Sequence, residues 1–186
     1  INEESQFIYP ELIELAKTGM FFGESGEGKT LLIVSFANYG LINKTIKSVI
    51  LLDFDNSLVS LKKRKYDQLA DRWIEDKFNY LLGSEILNEM EPIDALRELV
   101  LDGENNKDKM IVIDSGSHFV YDGTKNERQK LKEFIDVVKI LKNQGASPII
   151  IHHSHRVRDS QIADYHGSFE WKRDLDYQIQ ITKNED

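Results

Sequence analysis

The stretch Gly23-Glu24-Ser25-Gly26-Glu27-Gly28-Lys29-Thr30 decides the fold of this chain. It fits the pattern G-x-x-x-x-G-K-[ST]. The apolar Met20-Phe21-Phe22 before it reads as a strand. Leu31–Tyr39 (LLIVSFANY) after it reads as a helix of small and apolar residues, ending near Gly40. A glycine loop in that setting has a chemical use. Glycines let the backbone curl until successive N–H groups point at one cluster of phosphate oxygens. The following helix adds its N-terminal partial positive charge. Lys29 then reaches the β- and γ-phosphates as a mobile point charge, and the Thr30 hydroxyl offers Mg²⁺ the hard oxygen it prefers. Gly23, Glu24, Ser25, Gly26, Glu27, Gly28, Lys29, Thr30 and Leu31 are therefore the candidate nucleotide-binding residues, with ATP and Mg²⁺ as the expected ligands. Glu24 and Glu27 repel a triphosphate unless they point away, so an outward orientation is expected for both.

The pattern on either side agrees. Ser48–Asp53 (SVILLD), Met110–Asp114 (MIVID) and Pro148–Ile151 (PIII) are apolar runs of the kind that form strands buried on both faces. Glu127–Asn143 carries Leu131, Phe134, Ile135, Val138 and Leu141 at helical spacing, and Gly145 ends it. Residues 11–17 (ELIELAK) and Pro92–Leu101 also have helical spacing, and residues 57–108 read as mostly helical. Residues 153–171 read as loops, and Leu175–Thr182 alternates like an edge strand. Strands alternating with helices predict an α/β domain around a parallel sheet.

Composition narrows the class. Of 186 residues 40% are hydrophobic, enough for a real core. No cysteine is present, which excludes a disulfide scaffold, a zinc ribbon and a thiol enzyme and fits a reducing, cytoplasmic setting. No apolar run approaches the ~20 residues that span a bilayer, so no membrane association is expected. The chain begins at Ile1, which makes a fragment or trimmed chain the expectation, organised as one domain over residues 1–186. Lys and Arg number 24 against 32 Asp and Glu, a net charge of −8, which argues against coating nucleic acid by global charge. A local basic loop stays open: Arg156, Arg158, Lys172 and Arg173 gather near the end of the chain and are candidates for single-stranded DNA contact or for a finger into a neighbouring subunit. The run Lys62–Lys65 reads as an exposed helix face.

Three strand ends supply further candidates. Asp114 closes an apolar strand, where ligands of open parallel sheets bind, and suits Mg²⁺ together with Thr30. Asp53 or Asp55, after the strand that ends in Asp53, can polarise an attacking water; the residues leave the choice open. His152 and His153 follow PIII, and as neighbours on a strand they point to opposite faces, so one of them faces the nucleotide. A metal site at His152, His153 and His155 is disfavoured, because their spacing is wrong for helical i, i+4 ligation and no matching Cys or carboxylate cluster appears nearby in the sequence. Lys29, Asp53, Asp55, Asp114 and His153 are the candidate catalytic residues.

Together GESGEGKT, DFDNS, MIVIDSGSH, PIIIHHSHR and GSFEWKRDLDYQIQIT resemble the RecA-like branch of P-loop ATPases, of the KaiC, plasmid RepA helicase and phage recombination types, over about residues 19–182. The resemblance implies a sheet in the order 5-1-4-3-2 flanked by helices, Mg-ATP hydrolysis between subunits of an oligomer, and work in DNA replication or recombination. It implies Walker A roles for Lys29 and Thr30, the Walker B role for Asp114, the γ-phosphate sensor slot for His153 or else His152, and the catalytic carboxylate slot for Asp53 or Asp55. That carboxylate is usually Glu, and aspartate is one methylene shorter. Gly167-Ser168 and Asp176 resemble the segment before and within the last core strand. Two other functions compete: a regulatory nucleotide-binding module that hydrolyses slowly, and a small-molecule kinase. The kinase is disfavoured because residues 115–130 hold one arginine, Arg128, where a lid needs several.

Overall fold

The structure, a computed structural model, describes residues 6–57, 59–60, 77–86, 90–120, 126–153 and 169–183. Its core is a parallel sheet of six strands: β3 (Gly19–Gly23), β4 (Ser48–Asp53), β5 (Phe78–Leu82), β6 (Lys109–Asp114), β7 (Ser147–His153) and β8 (Tyr177–Gln180). A separate hairpin of β1 (Phe7–Tyr9) and β2 (Ile13–Glu14) precedes it. The helices are α1 (Lys29–Ile42), the short α2 (Gly83–Ile86), α3 (Pro92–Leu101), α4 (Glu127–Asn143) and α5 (Phe169–Asp174).

Alternation along the strands divides the core into two layers. Met20, Ile50, Leu52, Ile111, Ile113 and Ile150 pack against α3, α4 and the fully buried Trp171 of α5. Their strand neighbours Phe21, Val49, Leu51, Met110, Val112, Ile149 and Ile151 pack against α1 and against Ile8 and Ile13 of the hairpin. Successive side chains point to opposite faces of a strand, so runs that are apolar throughout must be covered on both sides. The two helices show the same logic. α4 exposes one face and buries Leu131, Phe134, Ile135, Val137, Val138 and Leu141. α1 likewise buries one side, with Ile33, Val34, Phe36, Ala37 and Leu41 against the sheet and the hairpin, and leaves the apolar Leu31, Tyr39 and Ile42 exposed on the other.

Several sequence expectations are corrected. The sheet order is β5-β4-β6-β7-β3-β8, six strands instead of five; read from the β8 edge, the five other than β5 follow the order 5-1-4-3-2. The difference is β5, which pairs in parallel outside β4, with Val49 opposite Phe78 and Asp53 opposite Leu82. Among the described residues of 57–108, β5 is a strand where a mostly helical stretch is expected, beside helices α2 and α3. Residues 11–17 form turns and β2 instead of a helix. Glu11 at φ 58° and Ala16 at φ 55° leave the right-handed path, and Ile13 is buried with Ile8 under α1. α1 continues past Gly40 to Ile42. Gly40 lets Ile8 and Ile46 approach, since a Cβ there would lie 2.8 Å from the Ile8 side chain. Helix α5 begins at Phe169, inside a stretch expected to be loop. Lys62–Lys65 lies outside the described residues.

Parallel register sets the place of the site. Gly23 pairs with His153, Asp53 with Asp114, and Asp114 with Ile151. The C-terminal ends of β3, β7, β6 and β4 therefore finish at one level, where ligands bind in open α/β sheets.

Candidate functional site

The loop between β3 and α1 closes a cleft of about 680 Å³ whose lining includes Ser25, Gly28, Lys29, Asp55, Asn56, Asp114 and His153. Thr30 and Leu31 complete the helix side, with Leu31 half exposed. Gly26 and Gly28 have φ of 86° and 81°, the left-handed region that glycine enters at no steric cost. Lys29 is 4% exposed, and its ammonium donates to the carbonyls of Gly23 (2.9 Å) and Glu24 (2.7 Å). Burial lowers the Lys29 pKa, against the nearby charges of Glu27, Asp114 and Asp55.

Glu27 does not point outward as expected. Its Oε2 is buried over Gly23, without a hydrogen-bond partner among the described residues. Gly23 makes room for it: a Cβ there would lie 2.2 Å from Glu27 Oε2 and 2.3 Å from the Ile181 carbonyl. Gly23→Ala is accordingly expected to destabilise the fold by roughly 1–3 kcal/mol, the usual cost of overpacking. Urea melts of the two proteins check this, and equal midpoints would contradict the close approach.

Asp114 ends β6 and is 1% exposed. Thr30 donates its hydroxyl to Asp114 Oδ2 at 2.5 Å, tying the first turn of α1 to the strand end. Burial pushes the Asp114 carboxyl up to about 6, helped by the charges of Asp53 and Asp55 and opposed by Thr30 and His153.

The structure separates the paired aspartates. Asp53 is fully buried and serves its own turn. It accepts from the backbone N–H of Asp55 (3.0 Å) and Asn56 (2.9 Å), from the Asn56 amide (2.8 Å), and from the Tyr80 hydroxyl. Asp53 is absent from the cleft lining, and Asp55 is present. Two imidazoles meet the Asp55 carboxylate: His118 Nε2 at 2.7 Å from Oδ1, and His153 Nε2 on Oδ2. Ser115 Oγ donates to Oδ1 at 3.2 Å. Burial alone would raise the Asp55 pKa, but the hydrogen bonds and charges of the two histidines outweigh it and hold the carboxyl well below the usual range. The hydrogen bond to Asp55 in turn raises the His118 pKa, against burial.

Alternation also separates the two neighbouring histidines. His153 shares the α1 face with Ile149 and Ile151 and lines the cleft. His152 lies on the other face, 1% exposed, with its ring centroid 5.5 Å from that of Trp171. Ligand atoms of Asp55, Asp114 and His153 all lie within 4.8 Å of one another. Thr30 and Asp114 present the hard oxygens that Mg²⁺ takes, so the donor set fits the expected ion.

Of the four candidate basic residues, only the Arg173 side chain is among those described. Arg156 and Arg158 lie outside the described residues, as do Gly167-Ser168 and the Lys172 side chain. Arg173 is exposed on α5 and pairs with Asp174 at 2.9 Å. Asp176 precedes β8 and holds the sheet edge, accepting from Thr18 N–H at 2.7 Å and pairing with Lys142. No helix among the described residues is long and apolar enough to cross a membrane. Sequence reasoning missed Asn56 and His118. Both lie within quoted motifs, DFDNS and MIVIDSGSH, but nothing in spacing alone links them to Asp55.

A strand, a glycine loop cradling an anion site, and a threonine–aspartate pair across a parallel sheet define a P-loop ATPase domain. A family model described as an AAA domain (AAA_25) matches residues 2–159, and the chain belongs to that family of nucleotide-binding ATPase domains. No curated protein matches the chain.

Proposed function

We propose that the cleft binds Mg-ATP and hydrolyses it in the manner of RecA-like ATPases. The observation that carries this reading is the Thr30–Asp114 hydrogen bond directly beside the glycine loop. It places a hydroxyl and a carboxylate together where the β- and γ-phosphates would meet the helix N-terminus. In this reading Lys29 exchanges its two carbonyl partners for phosphate oxygens. Thr30 and Asp114 hold Mg²⁺, which when bound screens the charge of the phosphate oxygens. Asp55 orients and polarises the attacking water, and His153 senses the γ-phosphate. Asp53 acts on the turn that presents Asp55 and Asn56.

Action on DNA in replication or recombination, as an oligomer, rests on the resemblance carried by residues 19–182 and belongs to the same proposal, as does a cytoplasmic location. A specific observation favours a second reading, a regulatory module with slow turnover: both Asp55 oxygens are engaged by imidazoles, which leaves the carboxylate less free to take a proton. ATP turnover with and without single-stranded DNA decides among these. Turnover stimulated by DNA supports the full proposal. Turnover indifferent to DNA removes the DNA role. Tight ATP binding without turnover leaves the regulatory module.

A further inference from the structure

The cleft holds an arrangement that ATP binding alone does not require. Asp114 ends β6, His153 ends the adjacent β7, and Asp55 follows β4 by two residues. The paired strands fix where these groups start, and their ligand atoms converge to within 4.8 Å. Lys29, which lines the same cleft, is turned onto the Gly23 and Glu24 carbonyls instead of onto either carboxylate. The groups that meet Asp55 are imidazoles and a serine hydroxyl.

Two carboxylates and an imidazole are a mixed oxygen and nitrogen donor set. Mg²⁺ demands oxygen ligands in near-ideal octahedral geometry and keeps several waters. Imidazole suits first-row transition ions, and affinity along that series exceeds what such sites offer Mg²⁺. We propose that Asp55, Asp114 and His153 form a binding site for a first-row transition-metal dication that fills without nucleotide, with Mn²⁺ as the probe that reports it. The neutral imidazole of His153 carries one proton; moving it to Nδ1 leaves the Nε2 lone pair for the ion, and Asp55 then gives up its hydrogen bond from His153 and keeps that from His118. The proposal deepens the ATP-site reading, on which it rests for the biological use of the ion, yet the binding itself needs no ATP.

The test uses the chain freed of metal by a chelator and titrated with Mn²⁺ in the absence of nucleotide. Electron paramagnetic resonance follows loss of the aqueous Mn²⁺ signal, and Mg²⁺ is added as competitor. The expected result is one Mn²⁺ per chain, bound roughly tenfold or more tightly than Mg²⁺. In the unaltered protein, electron spin-echo modulation from one imidazole nitrogen is expected and needs no variant to fold. His153→Gln is expected to weaken Mn²⁺ by about tenfold or more and to leave Mg²⁺ nearly unchanged. Equal affinities for the two ions, absent nitrogen coupling, or an unchanged His153→Gln affinity in a protein that melts normally would each overturn the site. A fluorescent ATP analogue titrated in parallel reports the nucleotide reading separately. Loss of its binding with Mn²⁺ binding intact removes the ATP proposal and supports a nucleotide-independent site.

Discussion

Lys29→Ala is expected to weaken ATP binding by about two to four orders of magnitude, two charge-assisted hydrogen bonds at roughly 1.5–3 kcal/mol each. The argument begins with where the ammonium is. Lys29 is buried under the glycine loop and donates to Gly23 and Glu24 carbonyls, so its stem already aims along the loop interior. Burial lowers its pKa, which means that the charged form is under-compensated where it sits. Phosphate oxygens would supply that compensation better than neutral carbonyls do. Alanine removes the charge and leaves the loop glycines, with their left-handed φ at Gly26 and Gly28, in place. Backbone N–H groups, with Mg²⁺ where it is bound, then hold the anion without the ammonium. Binding of a fluorescent ATP analogue measures the loss, and a melting curve shows that the variant is folded. An unchanged affinity in Lys29→Ala would place the nucleotide elsewhere.

Much of the fold was legible because burial on both faces leaves a strong mark. SVILLD, MIVID and PIII are almost free of polar residues, and each is a strand of the parallel sheet. Glu127–Asn143 was legible to its ends, since a single apolar stripe faces the sheet and Gly145 follows. β5 was not. FNYLL is short, its pattern alternates between half-buried and exposed positions, and it sits at the sheet edge where one side needs less cover. ELIELAK failed for a different reason. Its helical spacing is real, but Ile13 is drawn under α1 beside Ile8, and tertiary burial overrides a propensity worth tenths of a kcal/mol per residue.

The site divides in the same way. The glycine loop and Asp114 could be read locally, because each is one short segment with a fixed neighbour. His153 could be read only as one of two, and the strand pleat decides it. Asp55 and Asp53 could not be told apart, because the answer lies in a turn: Asp53 accepts the N–H groups of residues 55 and 56 and so spends its oxygens on its own loop. His118 reaches Asp55 from 63 residues away, through a 3₁₀ turn at Gly116–Phe119 that lets it fold back over the strand ends. Gly116 permits the close packing of that turn, with a Cβ position 2.7 Å from the Ile150 side chain.

Asp114→Asn is expected to make the nucleotide-free, metal-free protein more stable above pH 6 while abolishing Mg-dependent turnover. The sign follows from the direction of the pKa. Burial, then the charges of Asp53 and Asp55, raise the carboxyl from 3.8 to about 6 in the folded chain. A raised carboxyl holds its proton more tightly folded than unfolded. Its contribution to stability is therefore full below about pH 3.8 and is lost as pH rises through about 6. Asp55 works in the opposite direction: its carboxyl is held low by His118 and His153, and its contribution is present above the ordinary carboxylate pKa of 3.8 and lost in more acidic solution. The two effects occupy different windows, so the interval between pH 4 and pH 6 isolates Asp114. Asparagine cannot ionise, and its Oδ1 still accepts the Thr30 hydroxyl. The variant should show no decline across that interval and should exceed the natural chain at pH 7.5 by roughly 1–3 kcal/mol, the upper figure being 1.36 kcal/mol for each unit of raised pKa. Urea melts at pH 4, 5, 6 and 7.5 with a chelator present measure this. A variant that declines in parallel with the natural chain, or is the less stable of the two at pH 7.5, would mean that the folded protein already compensates the Asp114 charge. A gain in stability paired with lost turnover would show that β6 carries a carboxylate at a cost to folding, kept at the strand end for the cation it binds.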